Sequence, residues 1–121
     1  MATIKSYTDL EQSRKLAKIL PIETADMGYN VFVDNSVRIL PIDDWDLTKD
    51  GVNGVKTYPA WSLAALVDIL TENKICHCDD GYYCQFMSEG DEFPIYSTAE
   101  YDNPIDACVE MILKLHEKGL L

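Results

Sequence analysis

Two stretches of the chain place their apolar residues three and four positions apart, which is the spacing of an amphipathic helix, and a third, over residues 59–70, is apolar on nearly every side and is expected to be largely buried. Thr8 and Glu11 stand at the two positions of a capping box just before the first stretch. The pattern therefore predicts three helices, over residues 9–20, over residues 59–70, and from residue 104 onward.

The last of these helices carries the clearest signals of a beginning and an end. Asn103 is a favourable N-cap, Pro104 suits the first helical position, and Gly119 is a typical C-terminal stop. Its apolar stripe consists of Ile105, Cys108, Val109, Ile112 and Leu115.

Short runs of β-branched and aromatic residues between the helices predict strands. Asp-Asn-Ser and Asp-Asp-Gly triplets separate two pairs of these runs, and both triplets are typical of hairpin turns. The predicted strands are residues 31–33, 37–40, 74–78, 82–87 and 92–97, whereas residues 22–29 and 41–58 are predicted to be loops. This order predicts one α+β domain over residues 1–121, with a single antiparallel sheet of four to five strands and three helices mainly on one face.

Composition narrows the class of function. The chain has 121 residues, 21 acidic and 10 basic, and a net charge of −11. Nucleic-acid binding needs a basic footprint, so we expect no nucleic-acid partner. No apolar run approaches the length of a membrane span, and the first residues lack the apolar core of a signal peptide. We therefore expect a cytoplasmic protein with no membrane contact and with its four cysteines as thiols.

The stretch between Lys74 and Lys114 contains no lysine or arginine and nine acidic residues. It admits three interpretations: a solvated acidic face, a docking surface for a basic partner, or a mimic of nucleic-acid charge. Tyrosine combines a large contact area with a polar tip and is enriched in interfaces, although it is also common in strands. The candidate contact residues in this stretch are Tyr82, Tyr83, Tyr96 and Tyr101.

Cys76, His77, Cys78 and Cys84 are residue types that bind zinc, although their spacing departs from that of structural zinc sites. The hairpin turn decides which side chains share a face. A two-residue turn at Asp80 and Gly81 places His77 with Cys84 and the other two thiols on the opposite face. A three-residue turn places all three thiols on one face. Four suitable ligands would in either case need Cys108 or His116, so free buried cysteines are the competing interpretation.

Other catalytic or metal-binding motifs are incomplete. His77 beside Cys84 would suit a thiol nucleophile, but no third orienting group accompanies them. The acidic run from Asp43 to Asp50 resembles the start of a calcium loop, but it lacks the glycine and glutamate that such a loop requires. We therefore expect no enzymatic activity and no cofactor.

Three blocks of sequence resemble a family of small proteins of unknown function that bacterial prophages and mobile elements of gut anaerobes encode. The blocks are residues 20–27, 58–66 and 101–111. The resemblance implies an accessory cytoplasmic protein and no particular activity. Trp61 and Asn103 lie within these blocks and are candidates to line a shared groove, with core packing and capping as the competing roles.

Taken together, the sequence predicts a non-enzymatic binding module of a phage or mobile element, monomeric or homodimeric, whose partner is a basic host or phage protein. One alternative is a zinc- or thiol-dependent protein that uses the cysteine cluster. The other is a nucleic-acid charge mimic that acts on a host enzyme.

Overall fold

The structure is a computed structural model that describes residues 5–32, 34–41, 56–71, 73–87 and 94–121. Three α-helices lie in the described residues: α1 (Leu10–Leu16), α2 (Leu63–Ile69) and α3 (Pro104–Glu117). The strands there are β1 (Met27–Val31), β2 (Val37–Pro41), β3 (Lys56–Ala60), β4 (Asn73–Cys78), β5 (Gly81–Met87) and β6 (Pro94–Ser97). The predicted α+β class is confirmed.

The prediction of a single sheet is wrong, because the strands form two separate antiparallel sheets. The strand orders are β2-β1-β3 and β4-β5-β6. Strand β3 returns to pair with β1 and forms one edge of the first sheet, opposite β2. The chain divides into two compact units, which we call the N-terminal unit (Tyr7–Ala65) and the C-terminal unit (Leu66–Leu121 with Met1–Ser6).

The first three residues of β1, Met27 to Tyr29, lie in a segment that the sequence predicts to be a loop, so the strand begins earlier than the predicted residues 31–33. Its residues do not alternate clearly between apolar and polar, which is why the pattern did not indicate a strand. Hydrogen bonds stabilise it from both sides, since β1 is the middle strand and pairs with β2 and with β3. Tyr29 is buried in this strand, and its hydroxyl donates to the Thr8 carbonyl at 2.6 Å.

The second helix begins later than its sequence predicts, at Leu63 instead of residue 59. Pro59 and Ala60 belong to β3, where Pro59 lies opposite Gly28. An edge strand tolerates proline because one side of its backbone needs no hydrogen bond from the sheet.

The first helix is capped by Asp9 and not by Thr8. The Asp9 carboxylate accepts from the Gln12 backbone N–H at 2.8 Å, and the Gln12 side chain accepts from the Asp9 N–H at 3.1 Å. The capping box is therefore displaced by one residue. Thr8 is buried instead, and its hydroxyl lies 2.7 Å from that of Ser13.

Helix α3 agrees with its prediction and builds the core of the C-terminal unit. The Asn103 side chain accepts from the Asp106 N–H at 2.9 Å, Pro104 occupies the first turn, and Gly119 adopts a φ of 74° after the helix ends. The apolar stripe packs against β5. The helix residues buried there are Ile105, Ala107, Cys108, Val109, Met111, Ile112 and Leu115.

The β4–β5 hairpin closes through a two-residue turn, Asp79–Asp80, because Cys78 pairs with Gly81. Cross-strand partners share a face of the sheet, and faces alternate along each strand. The helix face, which packs on α3, carries Ile75, His77, Tyr82, Cys84 and Phe86. The opposite face carries Lys74, Cys76, Cys78, Tyr83 and Gln85.

Candidate functional site: the tip of the second hairpin

The end of the β4–β5 hairpin is held in place by the segment that precedes α3. The Tyr82 backbone donates to the Tyr101 carbonyl at 2.6 Å, and the Tyr101 backbone donates back to the Tyr82 carbonyl at 2.8 Å. Gly81 makes this approach possible, since a Cβ there would lie 2.2 Å from the Tyr101 carbonyl oxygen. Its φ of +140° is also one that other residues rarely adopt.

Three aromatic residues, His77, Tyr82 and Tyr101, lie in register across the helix face at this end of the sheet. The rings of His77 and Tyr82 are stacked with centroids 4.2 Å apart and planes 7° apart. Tyr101 lies opposite Tyr82 on the other side of β5, so its side chain shares that face. The His77 side chain is exposed, whereas the two tyrosines are half-buried.

Glu110 of α3 is hydrogen-bonded to Tyr101 and to the segment that precedes it. Its carboxylate accepts from the Ala99 backbone N–H at 2.9 Å and from the Tyr101 hydroxyl. Burial raises the pKa of Tyr101 above its ordinary value, and the bond to Glu110 raises it further. Tyr101 is therefore a neutral hydrogen-bond donor near pH 7, and the bond ties the segment before α3 to the helix itself.

Two carboxylates, those of Asp79 and Asp80, are exposed at the hairpin turn beside the three aromatic residues. Glu100 and Asp102 flank Tyr101 in the chain and alternate to the opposite face, where the charge of Glu100 helps to raise the pKa of Tyr83. We call the following set the hairpin-tip surface: His77, Asp79, Asp80, Tyr82 and Tyr101. It combines a hydrogen-bonded backbone with two exposed carboxylates and an exposed imidazole ring.

Two of the four predicted contact tyrosines lie elsewhere. Tyr83 is on the opposite face of the sheet, where its hydroxyl bonds to the Cys76 thiol, and that bond raises the pKa of Tyr83. Tyr96 of β6 stacks on Phe86 with centroids 6.2 Å apart, and the Lys114 ammonium lies 5.4 Å from its ring centroid. Of the four candidate tyrosines, Tyr82 and Tyr101 are the two that lie at this end of the hairpin, and their role as contact residues stays a prediction.

Trp61 is a core residue and not a contact residue. Its side chain is fully buried in the N-terminal unit, where the indole N–H donates to the Thr24 hydroxyl at 2.9 Å. Its backbone exchanges hydrogen bonds with Thr8, which ties the start of α1 to the end of β3. Asn103, in the C-terminal unit, is 6% exposed and acts as the cap of α3. These two residues therefore have structural roles in their own units.

The predicted zinc ligands do not gather at one point. Cys76 and Cys78 lie on the opposite face of the sheet, whereas His77 and Cys84 lie on the helix face. Within the described residues, no group of three or more histidine, cysteine or acidic side chains is arranged to hold a metal ion. The observed turn is neither of the two that the sequence suggested, but its division of the thiols matches the two-residue alternative.

Cys84 and Cys108 form a buried pair between β5 and α3. Both are fully buried, and the Cys84 thiol lies 3.7 Å from the Asn73 side-chain oxygen. A hydrogen bond from Cys108 lowers the pKa of Cys84, and the same bond, together with burial, raises the pKa of Cys108. The pair has the role of small core side chains, with the buried thiols satisfied by hydrogen bonds.

An open depression of about 520 Å³ runs along α1. The described residues that line it are Leu10, Glu11, Arg14, Lys15 and Lys18. All five belong to α1 or the turn that follows it. Arg14 is in addition engaged with the ring of Tyr58, with 5.2 Å to its centroid.

Sequence reasoning missed the pairing of His77 with Tyr82, because neither of the two turns that it considered places these residues opposite each other. The available signal was the Asp-Asp pair, since a turn formed by Asp79 and Asp80 pairs His77 with Tyr82. The calcium-like run from Asp43 to Asp50 lies outside the described residues.

Comparisons with known proteins leave the site to be interpreted from its own geometry. No family model matches this chain, and no curated protein or solved structure shows significant similarity to it. The resemblance to prophage-encoded proteins therefore stays a prediction. None of the described helices has both the length and the apolar character that a bilayer span requires.

Proposed function

We propose that this protein is a non-enzymatic interaction module that binds a basic segment of a partner protein at the hairpin-tip surface. The observation that carries the proposal is the stacked His77–Tyr82 pair beside the exposed carboxylates of Asp79 and Asp80. The proposal includes that the protein is cytoplasmic, that a phage or mobile element encodes it, and that its partner is a host or phage protein.

The chemistry of the surface favours a cationic partner. Carboxylates attract ammonium and guanidinium groups, and ring faces add a cation–π attraction of about 0.5–1 kcal/mol at an exposed site. The net charge of −11 increases the encounter rate with a basic partner and makes it dependent on salt.

The backbone of the surface is already held in its binding geometry. The two hydrogen bonds between Tyr82 and Tyr101 and the contacts of Glu110 order the segment before any partner arrives. Binding therefore costs little backbone entropy, which favours a specific contact over a diffuse electrostatic one.

A direct test uses a fluorescein-labelled peptide that alternates arginine with serine, and measures its binding by fluorescence anisotropy at low ionic strength. We expect the double variant Asp79→Asn/Asp80→Asn to bind about tenfold more weakly, since it loses two exposed charge contacts. Binding should weaken further as salt is added, because the remaining attraction is screened.

The matched control is Asp68→Asn/Glu117→Gln, which removes the same charge from exposed positions outside the hairpin tip. Glu117 ends the 14-residue helix that Asp102 precedes, so it lies about 20 Å from the tip. We expect the control to change affinity less than twofold. Equal losses in the two double variants would show that only net charge acts, and the proposal would be rejected.

A further inference from the structure

The edge of the second sheet presents a narrow strip beside the hairpin tip. Strand β4 is an outer strand of this sheet, and Ile75 and His77 lie on its helix face two positions apart. Ile75 is 36% exposed, and His77 is exposed as well, so α3 leaves this part of the face uncovered. The strip therefore runs from an apolar side chain, over a stacked ring pair, to the two carboxylates of the turn.

We infer that this strip is a binding site for an arginine side chain of the partner. The inference rests on the proposed function and specifies which basic residue the hairpin-tip surface recognises. The methylene stem of the arginine packs on Ile75, its guanidinium stacks on His77, and its N–H groups reach Asp79 or Asp80.

The dimensions of the strip suit this side chain. Residues two apart on a strand are separated by about 6.6 Å, which is close to the length of an extended arginine stem. The turn that carries the carboxylates follows His77 after one further residue, Cys78. A single arginine can thus contact all three parts of the strip in the order in which they lie.

The shape of the stacked pair distinguishes arginine from lysine. The rings of His77 and Tyr82 are nearly parallel, so a planar guanidinium can lie on the exposed side of His77 as a third layer. A guanidinium can also donate two parallel hydrogen bonds to one carboxylate. An ammonium group is a compact charge with no plane, so it gains the attraction of the carboxylates without the stacking.

The test compares two labelled peptides of equal length and charge, one with arginine and serine in alternation and one with lysine and serine. We expect the wild-type protein to bind the arginine peptide about fivefold more tightly. His77→Ala should abolish this preference, whereas His77→Phe, which keeps a ring there, should preserve it.

The other histidine of the chain provides the control. His116 is exposed at the end of α3, and His116→Ala should leave both affinities unchanged. Thermal unfolding of each variant establishes that it is folded before binding is measured.

The outcomes separate the two proposals. Equal wild-type affinities for the two peptides, or a preference that survives in His77→Ala, would overturn the arginine site and leave the basic-partner function standing. Failure of both peptides to bind would overturn the proposed function itself.

Discussion

At the scale of single residues, Gly81 has the most demanding position in the hairpin tip. It begins β5 at a φ of +140° and lies against the Tyr101 carbonyl, so both its conformation and its surroundings exclude a side chain. The stacked rings and the paired segment before α3 therefore depend on this one glycine.

Gly81→Ala should lower the free energy of unfolding by about 1–3 kcal/mol, because the backbone must either adopt a strained conformation or break the Tyr82–Tyr101 pairing. The free energy of unfolding is measured by urea titration with circular dichroism as the signal. The control is Gly119→Ala, where φ is also positive but no atom lies within 4 Å of an added Cβ. Equal costs at the two positions would contradict the steric explanation.

The raised pKa of Tyr29 predicts that the stability of the protein depends on pH. Burial raises the pKa of its phenol to about 12, against an ordinary value of about 10 in the unfolded chain. Below pH 10 both states keep the proton, so the bond to Thr8 contributes fully. Between pH 10 and 12 the unfolded state ionises first, and the contribution of Tyr29 falls by about 1.4 kcal/mol per pH unit.

The comparison with Tyr29→Phe isolates this effect from the other groups that titrate at high pH. Below pH 10 the wild type should be more stable by about 1 kcal/mol, since only it has the hydrogen bond. The difference should shrink, and then change sign, as the pH rises toward 12. A difference that stays constant in urea unfolding across this range would refute the assignment.

At the scale of elements, α3 shows how much local sequence can specify. Its cap, its proline, its apolar stripe and its glycine stop all lie within the 17 residues from Asn103 to Gly119, and each acts through neighbours in the chain. The start of α2 shows the opposite case. Pro59 is favourable at a helix start, but pairing of its segment with β1 keeps it extended.

Asn103→Ala should destabilise the protein by about 1 kcal/mol through loss of the bond to the Asp106 N–H. Asn103→Ser should recover most of this free energy, because a serine hydroxyl also accepts at an N-cap. Urea unfolding of the two variants tests the prediction. Two variants of equally low stability would indicate that Asn103 acts through its other hydrogen bonds, to Asp102 and to the Asp106 side chain.

At the scale of the whole molecule, the two sheets and their faces determine what each cysteine can do. The alternation of faces places Cys76 and Cys78 away from α3, half-buried, whereas Cys84 and Cys108 are enclosed between β5 and α3. The three cysteines that are close in sequence are thus divided: Cys76 and Cys78 keep some access to solvent, whereas Cys84 is buried with the distant Cys108.

Brief alkylation of the native protein with iodoacetamide should modify Cys76 and Cys78 and spare the other two cysteines. Burial restricts access to Cys84 and Cys108, and the second also has a raised thiol pKa. Peptide mapping by mass spectrometry identifies the modified positions, and alkylation in concentrated urea should modify all four. Modification of Cys108 as rapid as that of Cys76 would contradict the structure.

The candidate site could be predicted only in part. Composition alone indicated the acidic stretch and the tyrosines within it, because charge and contact area are properties of the residues themselves. Composition did not indicate which tyrosines share a face, since Tyr82 and Tyr83 are adjacent in sequence and lie on opposite faces of the sheet. A shift of one residue in the pairing would have exchanged their roles.

Local sequence is sufficient to specify helix α3, the existence of the β4–β5 hairpin and the acidic character of its end, because these depend on neighbours a few positions apart. Long-range pairing was needed to begin β1 at Met27, to make β3 a strand, to divide the strands between two sheets, and to bring His77, Tyr82 and Tyr101 into register. The physical reason is that backbone pairing between distant segments outweighs weak local preferences, and the register of that pairing decides which side chains meet.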